Sequence, residues 1–504
     1  MVVLEIASSR KKGLGELRSS SFVLALVVIG YYASLLVSAG DRIGRYSSDV
    51  IGLFLVIGAM ALAGVLRDDS VYSTRKIHWL FILIFMSLAP LAQYINGYFP
   101  WSYYLDDALI MKAQAVVFCW CAAFSFGGCL ANVFSKRDGG SAVSADADLA
   151  WCGVPKSAYA LIILTLVALV LHVVMTGPQN LFVRSVSDSG SDGNASSQSL
   201  SMIGHFVLVS IPLFSCIFLI LVRKEDRSRP LWPSILTFFC LLVTVWPPAV
   251  SRYMTAAVYG GLALVLVPRR MAHSRLVDFV VIVGIMIVFP AFYAFKFGTL
   301  DLEYFQRTIV GALSGTVFCS IDFDAFSLVA RIVQYADLNG LTWGTQVFSA
   351  IFCFVPRAFL AALGIAKGLP TGEVVATSQG AAYTNLSAPT MSEAYIDFGF
   401  FGVVLLALTV SIFLKLLDEH FWDGYLSYDG EAYLSRAVYP VFVTFLVYIL
   451  RGSLLHTVMR LYGILLVPLA IYVAHRLLSD RRQRDARMSA DDNSVFAARV
   501  VKRP

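Results

Sequence analysis

The sequence predicts an all-α polytopic membrane protein of about twelve transmembrane helices with one long external loop. Three observations predict it. Of the 504 residues, 58% are hydrophobic and only 14% are charged, whereas soluble domains carry roughly 25% charged residues. Apolar stretches of about 17–25 residues recur, the length that about 30 Å of hydrocarbon demands of a helix. Period-two alternation is weak, which disfavours a closed barrel. A soluble chain of this composition would have to bury nearly everything, and surface-to-volume scaling forbids that.

Spans are expected at about 21–40, 49–66, 77–97, 108–134, 157–176, 200–222, 231–247, 252–268, 276–297, 396–417, 434–452 and 457–475. They divide the chain into a tail (1–20), a nine-helix region (21–297), a long loop (298–395), a three-helix region (396–475) and a basic tail (476–504). An even number of spans puts both termini on one side. The bias of Lys and Arg selects the cytoplasm: Arg10, Lys11, Lys12 and Arg18 precede the first span. Arg67, Arg75 and Lys76, then Arg223, Lys224, Arg227 and Arg229, then Arg269, Arg270 and Arg275 fill alternate loops on that side, and Arg481, Arg482 and Arg484 follow the last span. Tyr98 to Leu105 has no cation and several aromatics, and reads as an outer interfacial belt.

The long loop then faces outward. Within it, Thr308 to Ile321 is too short to cross, and Leu341 to Ile365 is interrupted by Pro356 and Arg357. The second stretch reads as a broken interfacial or re-entrant helix, which a membrane tolerates when it is buried in protein or lines a cavity. Ser185 to Ser199 is a flexible outer loop by composition.

No Walker lysine loop, HExxH motif or G-x-S-x-G elbow is present. ATP is therefore not expected to drive the protein directly. Neither a metal site nor a cofactor nor a nucleic-acid partner is expected; the bilayer itself is the first partner. Cys119, Cys121, Cys129, Cys216 and Cys240 lie in apolar runs, as small hydrophobes. Cys319 and Cys353 both fall in the long loop and form the one pair that an oxidising compartment would join, although both neighbourhoods are apolar. Lys112, within the fourth span, is expected to pair with Asp106 or Asp107.

The candidate chemistry is a set of cations at the outer face, against the charge trend. Arg252 opens the eighth span after the turn set by Pro247 and Pro248; Arg357 sits in the broken loop helix; Arg451 sits where the eleventh span emerges. Arginine presents a planar fork of donors that matches phosphate oxygens. These three are the candidate pyrophosphate-binding residues, with snorkelling as the structural alternative. Lys367, Arg307, Arg331 and His456 are further candidates for substrate contact, and Arg460 faces the same side. A polar stretch then runs into Glu393 and Asp397 at the entry to the tenth span. Glu393 is the candidate catalytic base, against the alternative that either acid simply favours the helix dipole.

These residues resemble a family. Ser251–Arg252 after an outer turn, Pro356–Arg357 in the loop, the box Glu393–Ala394–Tyr395 with Phe398, Gly399 and Gly402, and the late pair Arg451–Gly452 resemble the bacterial oligosaccharide repeat-unit polymerases, the O-antigen polymerases of the Wzy type. The likeness covers about Pro247 to Gly452; the first two hundred residues match in hydropathy only. A lysine-proline expected soon after the proline-basic pair is absent, since Gly368 and Leu369 separate Lys367 from Pro370.

The resemblance implies a glycosyltransferase-C-like fold in the bacterial inner membrane, with a periplasmic loop. It implies an inverting, metal-independent glycosyltransferase acting on undecaprenyl-pyrophosphate-linked oligosaccharide to make O-antigen, capsule or exopolysaccharide, with a chain-length regulator as a partner. The alternatives are an O-antigen ligase-type enzyme and a flippase of lipid-linked oligosaccharide. The gathering of candidates at one face, with few mid-span charges, favours an enzyme over a flippase.

Overall fold

A computed structural model describes residues 2–40, 46–101, 105–135, 155–182, 195–268, 271–291, 302–365, 367–381, 383–426 and 433–473. Lys296, Arg269, Arg270, most of 185–199 and the tail 476–504 lie outside the described residues.

The described residues are helical. Among the described residues nine helices are long and apolar enough to cross a membrane: α1 (its apolar part Ser19–Ala39 within a helix that begins at Val2), α2 (Ser48–Arg67), α3 (Thr74–Asn96), α4 (Asp107–Ser135), α5 (Pro155–Thr176), α6 (Ala195–Glu225), and the three helices α15 (Thr390–Leu426), α16 (Tyr433–Arg451) and α17 (Leu454–Val473). Three more apolar helices occupy expected spans but are shorter: α7 (Trp232–Thr244), α8 (Arg252–Leu266) and α9 (Leu276–Val288). At 1.5 Å per residue α7 is only about 20 Å long. The sequence hides this shortening because apolar residues continue past the helix ends.

The long connection is folded. It contains α10 (Leu302–Ser314), two 3₁₀ turns (Thr316–Cys319 and Ile321–Phe323), α11 (Ala325–Asn339), α12 (Thr345–Ile351), α13 (Arg357–Ala362) and α14 (Thr371–Ser378). The expected broken helix is the pair α12 and α13, separated at Pro356, which lacks the amide donor that helix continuation needs. α11 is core rather than cover: Phe326, Val329, Ala330, Ile332 and Val333 are wholly buried.

Two apolar clusters build the interior. The larger centres on α3, whose apolar window is entirely buried, and includes residues of α2, α4, α11 and α15. The second joins α6, α7, α8 and α17. α16 contributes to both, with Tyr439, Val443 and Leu446 to the first and Ala437, Val441 and Phe445 to the second. The 3₁₀ segment is tied to α3 by Gln93, whose Nε2 donates to the carbonyls of Phe318 (2.7 Å) and Phe323 (2.8 Å).

At one end of the bundle, charged groups serve as helix caps. Asp418 accepts the amides of Thr74 (2.9 Å) and Arg75 (3.1 Å), so an acid on α15 caps the N-terminus of α3. Arg275 donates to the terminal carbonyls of α2 at Val65, Leu66 and Asp68. Between them, Asp278 meets Lys76 and Arg275 at 3.3 Å, with all three side chains almost fully buried.

α15 breaks within its first part. Phe398 (φ −139°, ψ 18°) and Gly399 (φ 61°, ψ −149°) leave helical geometry, and the second of these conformations is open essentially to glycine alone. Past the break, Gly402 packs against the preceding turn so closely that a Cβ there would lie 2.3 Å from the Ala394 carbonyl. The glycine spacing of the box is thus a packing requirement. Gly402→Ala should lower the unfolding free energy by about 1–3 kcal/mol, measured by SDS titration in mixed micelles. Gly204→Ala, where a Cβ meets nothing within 4 Å, should be neutral or slightly stabilising.

Candidate functional site

At the opposite end from the Asp418 cap, where the two apolar clusters meet, the structure encloses a cavity of about 470 Å³. Its walls bring together residues far apart in sequence: Arg252 and Tyr253 from the start of α8, Asp322 and Asp324 from the connection, Tyr448 and Arg451 from α16, and Ser453, His456 and Arg460 around the start of α17. Trp101 and Ser387 close it.

Local sequence explains each placement. Ser251 is extended and caps α8, its hydroxyl accepting the Met254 amide at 3.3 Å, so Arg252 is the first helical residue and its side chain starts at the rim. Arg451 ends α16, and α17 begins at Leu454, which turns the chain sharply between two helix ends. Asp322 and Asp324 flank Phe323, which is wholly buried; the 3₁₀ turn puts the phenylalanine into the core and leaves both acids on the cavity wall.

Two ion pairs organise the site. Arg252 grips Asp322 bidentately, at 2.8 and 2.5 Å, and Arg451 meets Asp324 at 2.6 Å. Asp324 also accepts the Trp101 indole N–H at 2.7 Å, and the Ser387 hydroxyl lies 3.4 Å away. The Arg451 guanidinium lies 4.5 Å from the Tyr253 ring centroid, while the Tyr253 hydroxyl donates to the Asp322 carbonyl at 3.0 Å. Burial pushes the Asp322 carboxyl above the usual carboxylate range, and the guanidinium of Arg252, then that of Arg451, pull it back. Bidentate geometry of this kind favours the charged pair.

Two of the three arginines that the sequence nominated, Arg252 and Arg451, are thus neutralised by two acids that it did not. Arg460, also on the wall, meets no carboxylate among the described residues; it lies over the rings of Tyr448 (4.6 Å) and Phe206 (5.5 Å). Three guanidinium groups against two carboxylates leave one positive charge, His456 aside.

The other nominated residues are placed differently. Arg357 is the first residue of α13, and its side chain lies outside the described residues. Glu393 is buried and does not line the cavity; its Oε1 accepts the Leu454 amide at 2.8 Å, which fixes the first turn of α17, and the Ser453 and Thr371 hydroxyls lie against it. Ser453 does line the cavity. Asp397 is bound to the start of α12, accepting the amides of Gln346 (3.1 Å) and Val347 (2.9 Å) and the Thr342 hydroxyl (2.5 Å). Lys367 donates to the carbonyls of Cys353 (2.7 Å) and Val355 (3.0 Å), which closes the turn after α12. Arg307 pairs with Glu303 one turn away on α10, both well exposed. Arg331 is half-buried on α11 and is not on the cavity wall.

One pairing expected from sequence is corrected, and one weighed there as the lesser alternative does not form. Lys112 meets Asp337 at 2.5 Å, because Asp106 and Asp107 are occupied at the start of α4, accepting the Leu109 amide and the Tyr94 hydroxyl. Cys319 and Cys353 are both free thiols: Cys353 packs against Ile203, Leu455 and Met459, away from the 3₁₀ turn that carries Cys319. Among the described residues no three His, Cys, Asp or Glu side chains gather as a metal site.

Sequence reasoning passed over Asp322 and Asp324, which follow directly on the apolar stretch ending at Ile321. The signal was there: two acids set among phenylalanines must find counter-charge or pay the desolvation of a buried ion. Comparison with family models, with curated proteins and with solved structures gives no match to this chain.

The pairs differ in energetic weight. Asp322→Ala strands the mostly buried Arg252, so it should cost about 3–5 kcal/mol, while Lys112→Ala should cost less than about 1 kcal/mol, since its pair is exposed and screened. SDS-titration unfolding of the two variants beside wild type checks the ratio.

Proposed function

We propose that the chain is a membrane glycosyltransferase that polymerises polyprenyl-pyrophosphate-linked oligosaccharide repeat units at the external face of a bacterial inner membrane. The observation that carries this reading is the convergence of Arg252, Arg451, His456 and Arg460 on one cavity at one end of an apolar helical bundle. A purely structural protein needs no such gathering. The sidedness follows from the Lys and Arg bias, which puts this end outside and both termini in the cytoplasm. In this reading the short helices α7, α8 and α9 complete twelve crossings with their flanking residues.

The chemistry needs a held leaving group and a positioned acceptor. In the transfer, the bond between the anomeric carbon of the growing chain and the pyrophosphate oxygen breaks. A bond forms from that carbon to the hydroxyl oxygen at the non-reducing end of the incoming lipid-linked unit. The electron pair of the broken bond leaves on pyrophosphate, and preorganised positive charge stabilises it most effectively where water is excluded. Arg252, Arg451 and Arg460 supply that charge, with Arg357 proposed to join them. Asp322 and Asp324 hold the first two in place before substrate arrives, so little reorganisation is left for the transition state.

The acceptor proton passes, in this proposal, toward Glu393 by way of Ser453, a residue that lines the cavity and neighbours the carboxylate. Attack by the acceptor on the face opposite the leaving group inverts the anomeric configuration.

Membranes supplied with lipid-linked repeat units should yield a ladder of long chains. Arg451→Ala should reduce long-chain product at least about hundredfold at unchanged protein level, and a chelator should leave wild-type activity intact. A full ladder from Arg451→Ala sinks the reading. Chains delivered to a lipid A core would indicate a ligase instead, and translocation without new glycosidic bonds a transporter.

A further inference from the structure

A separate cavity of about 350 Å³ lies among α5, α6 and α7. It belongs to the end of the bundle remote from the ion pairs. Lys224, near the end of α6, donates to the Val265 carbonyl at 2.8 Å, so this end of α6 lies beside the last turn of α8, whereas Arg252 opens the first. Arg223, Asp226 and Arg229 are the charged residues of the cavity wall. Asp226 is committed within its own turn: its carboxylate accepts the Ser228 amide (3.1 Å) and hydroxyl (2.5 Å) and the Arg229 Nε–H (3.0 Å). Arg223 donates from Nη1 to the Arg229 carbonyl at 2.9 Å and meets no carboxylate among the described residues. Two guanidinium groups against one carboxylate leave one positive charge on the wall. A guanidinium has five N–H donors, so these bonds leave most donors of both arginines for an anion.

The rest of the wall is apolar, and it continues onto the outside of the bundle. Tyr159 of α5 and Trp232 of α7 line the cavity, with ring centroids 6.4 Å apart, and both are about half exposed. From Tyr159, the exposed side chains of Ile163, Val167 and Val170 follow along α5; from Trp232, those of Ile235 and Phe239 follow along α7. Steps of three and four residues keep each set on one helix face. Both helices begin near the cavity, α5 at Pro155 and α7 at Trp232, so both stripes lead away from it. A Tyr–Trp pair at the head of exposed apolar stripes is the arrangement of a membrane interface, where such rings sit at headgroup level. The combination is a basic recess at that level with two apolar tracks running from it.

We propose that this recess is a headgroup site for an anionic phospholipid, its phosphodiester on Arg223 and Arg229 and its acyl chains along the exposed stripes of α5 and α7. Guanidinium forks match phosphate oxygens. The net charge of the wall selects a headgroup that is negative overall. An ethanolamine headgroup would carry its ammonium toward two guanidinium groups, and the one carboxylate present is already held by Arg229. The bound lipid joins α5 to α7 on the side of the bundle away from the ion pairs. The site stands on its own residues and is independent of the polymerase reading.

Trp232 is a built-in reporter. The purified full chain is placed in detergent micelles doped with phosphatidylglycerol or phosphatidylethanolamine, each brominated on its acyl chains, and tryptophan quenching is read. The Trp232 contribution is the part lost in Trp232→Phe. Brominated phosphatidylglycerol should half-quench it at a mole fraction at least about tenfold lower than brominated phosphatidylethanolamine. Arg223→Gln should raise the phosphatidylglycerol midpoint at least about tenfold and so remove the preference; Arg223→Lys, which keeps charge but loses the fork, should fall between. Arg67→Gln removes an exposed cation of the same end that is not on this cavity wall, and should shift the midpoint less than about twofold, because solvent and salt screen such a charge. Melting curves without added lipid show which variants are folded; should Arg223→Gln fail to fold, the comparison of the two lipids at Trp232 in wild type decides alone. Equal quenching by the two lipids in wild type, an unchanged preference in Arg223→Gln, or a loss in Arg67→Gln as large as that in Arg223→Gln would overturn the proposal.

Discussion

Charge placed inside an apolar bundle has to be answered by opposite charge, and the answer given by Asp322 and Asp324 organises this protein. An uncompensated arginine taken out of water costs several kcal/mol. Both cavity arginines that leave α8 and α16 are met by carboxylates from a single three-residue stretch of the connection. That stretch is itself pinned from behind by Gln93 of α3 and by the buried rings of Phe318 and Phe323. The pairs therefore bridge the cluster built on α3 and the cluster built on α6 and α8. They hold open a polar space at the seam between two apolar bodies that would otherwise collapse on each other.

The two ends of the bundle use charge in contrasting ways. At one end Asp418, Arg275, Lys76 and Asp278 spend their hydrogen bonds on helix termini and on one another. Those groups complete the backbone where helices stop. At the other end the acids meet arginines across an open cavity, and Arg460 meets only rings. Burial alone does not separate these cases, since Asp278 and Asp324 are both buried.

The helical membrane architecture was legible in composition and in apolar run length, because the hydrocarbon sets a length that short windows can detect. Arg252 and Arg451 were legible because they are cations at helix ends that the Lys and Arg bias assigns to the opposite side. Their partners were not, because a pairing across 70 or 127 residues leaves no local periodicity. Glu393 and Asp397 were visible as acids at a helix entry, but their tasks, holding the first turns of α17 and α12, depend on which helix ends arrive beside them. Lys367 and Arg307 show the limit of reading cations one at a time: the first satisfies carbonyls and the second a neighbour on its own helix. Arg460 was noticed only as one more outward cation, since its lack of an acid partner is a property of the folded arrangement.

The interruption at Phe398 and Gly399 has a mechanical consequence. A continuous helix over the 37 residues of α15 would run about 55 Å, far beyond the thickness of hydrocarbon, and would behave as one stiff lever. Broken there, it becomes two bodies with separate allegiances. The short piece, through Glu393 and Asp397, travels with α17 and α12, while the long piece stays clasped to α4 and α3. Tilting α12 and the start of α17 then need not twist the helices packed around α3, and a pivot of two residues absorbs the difference.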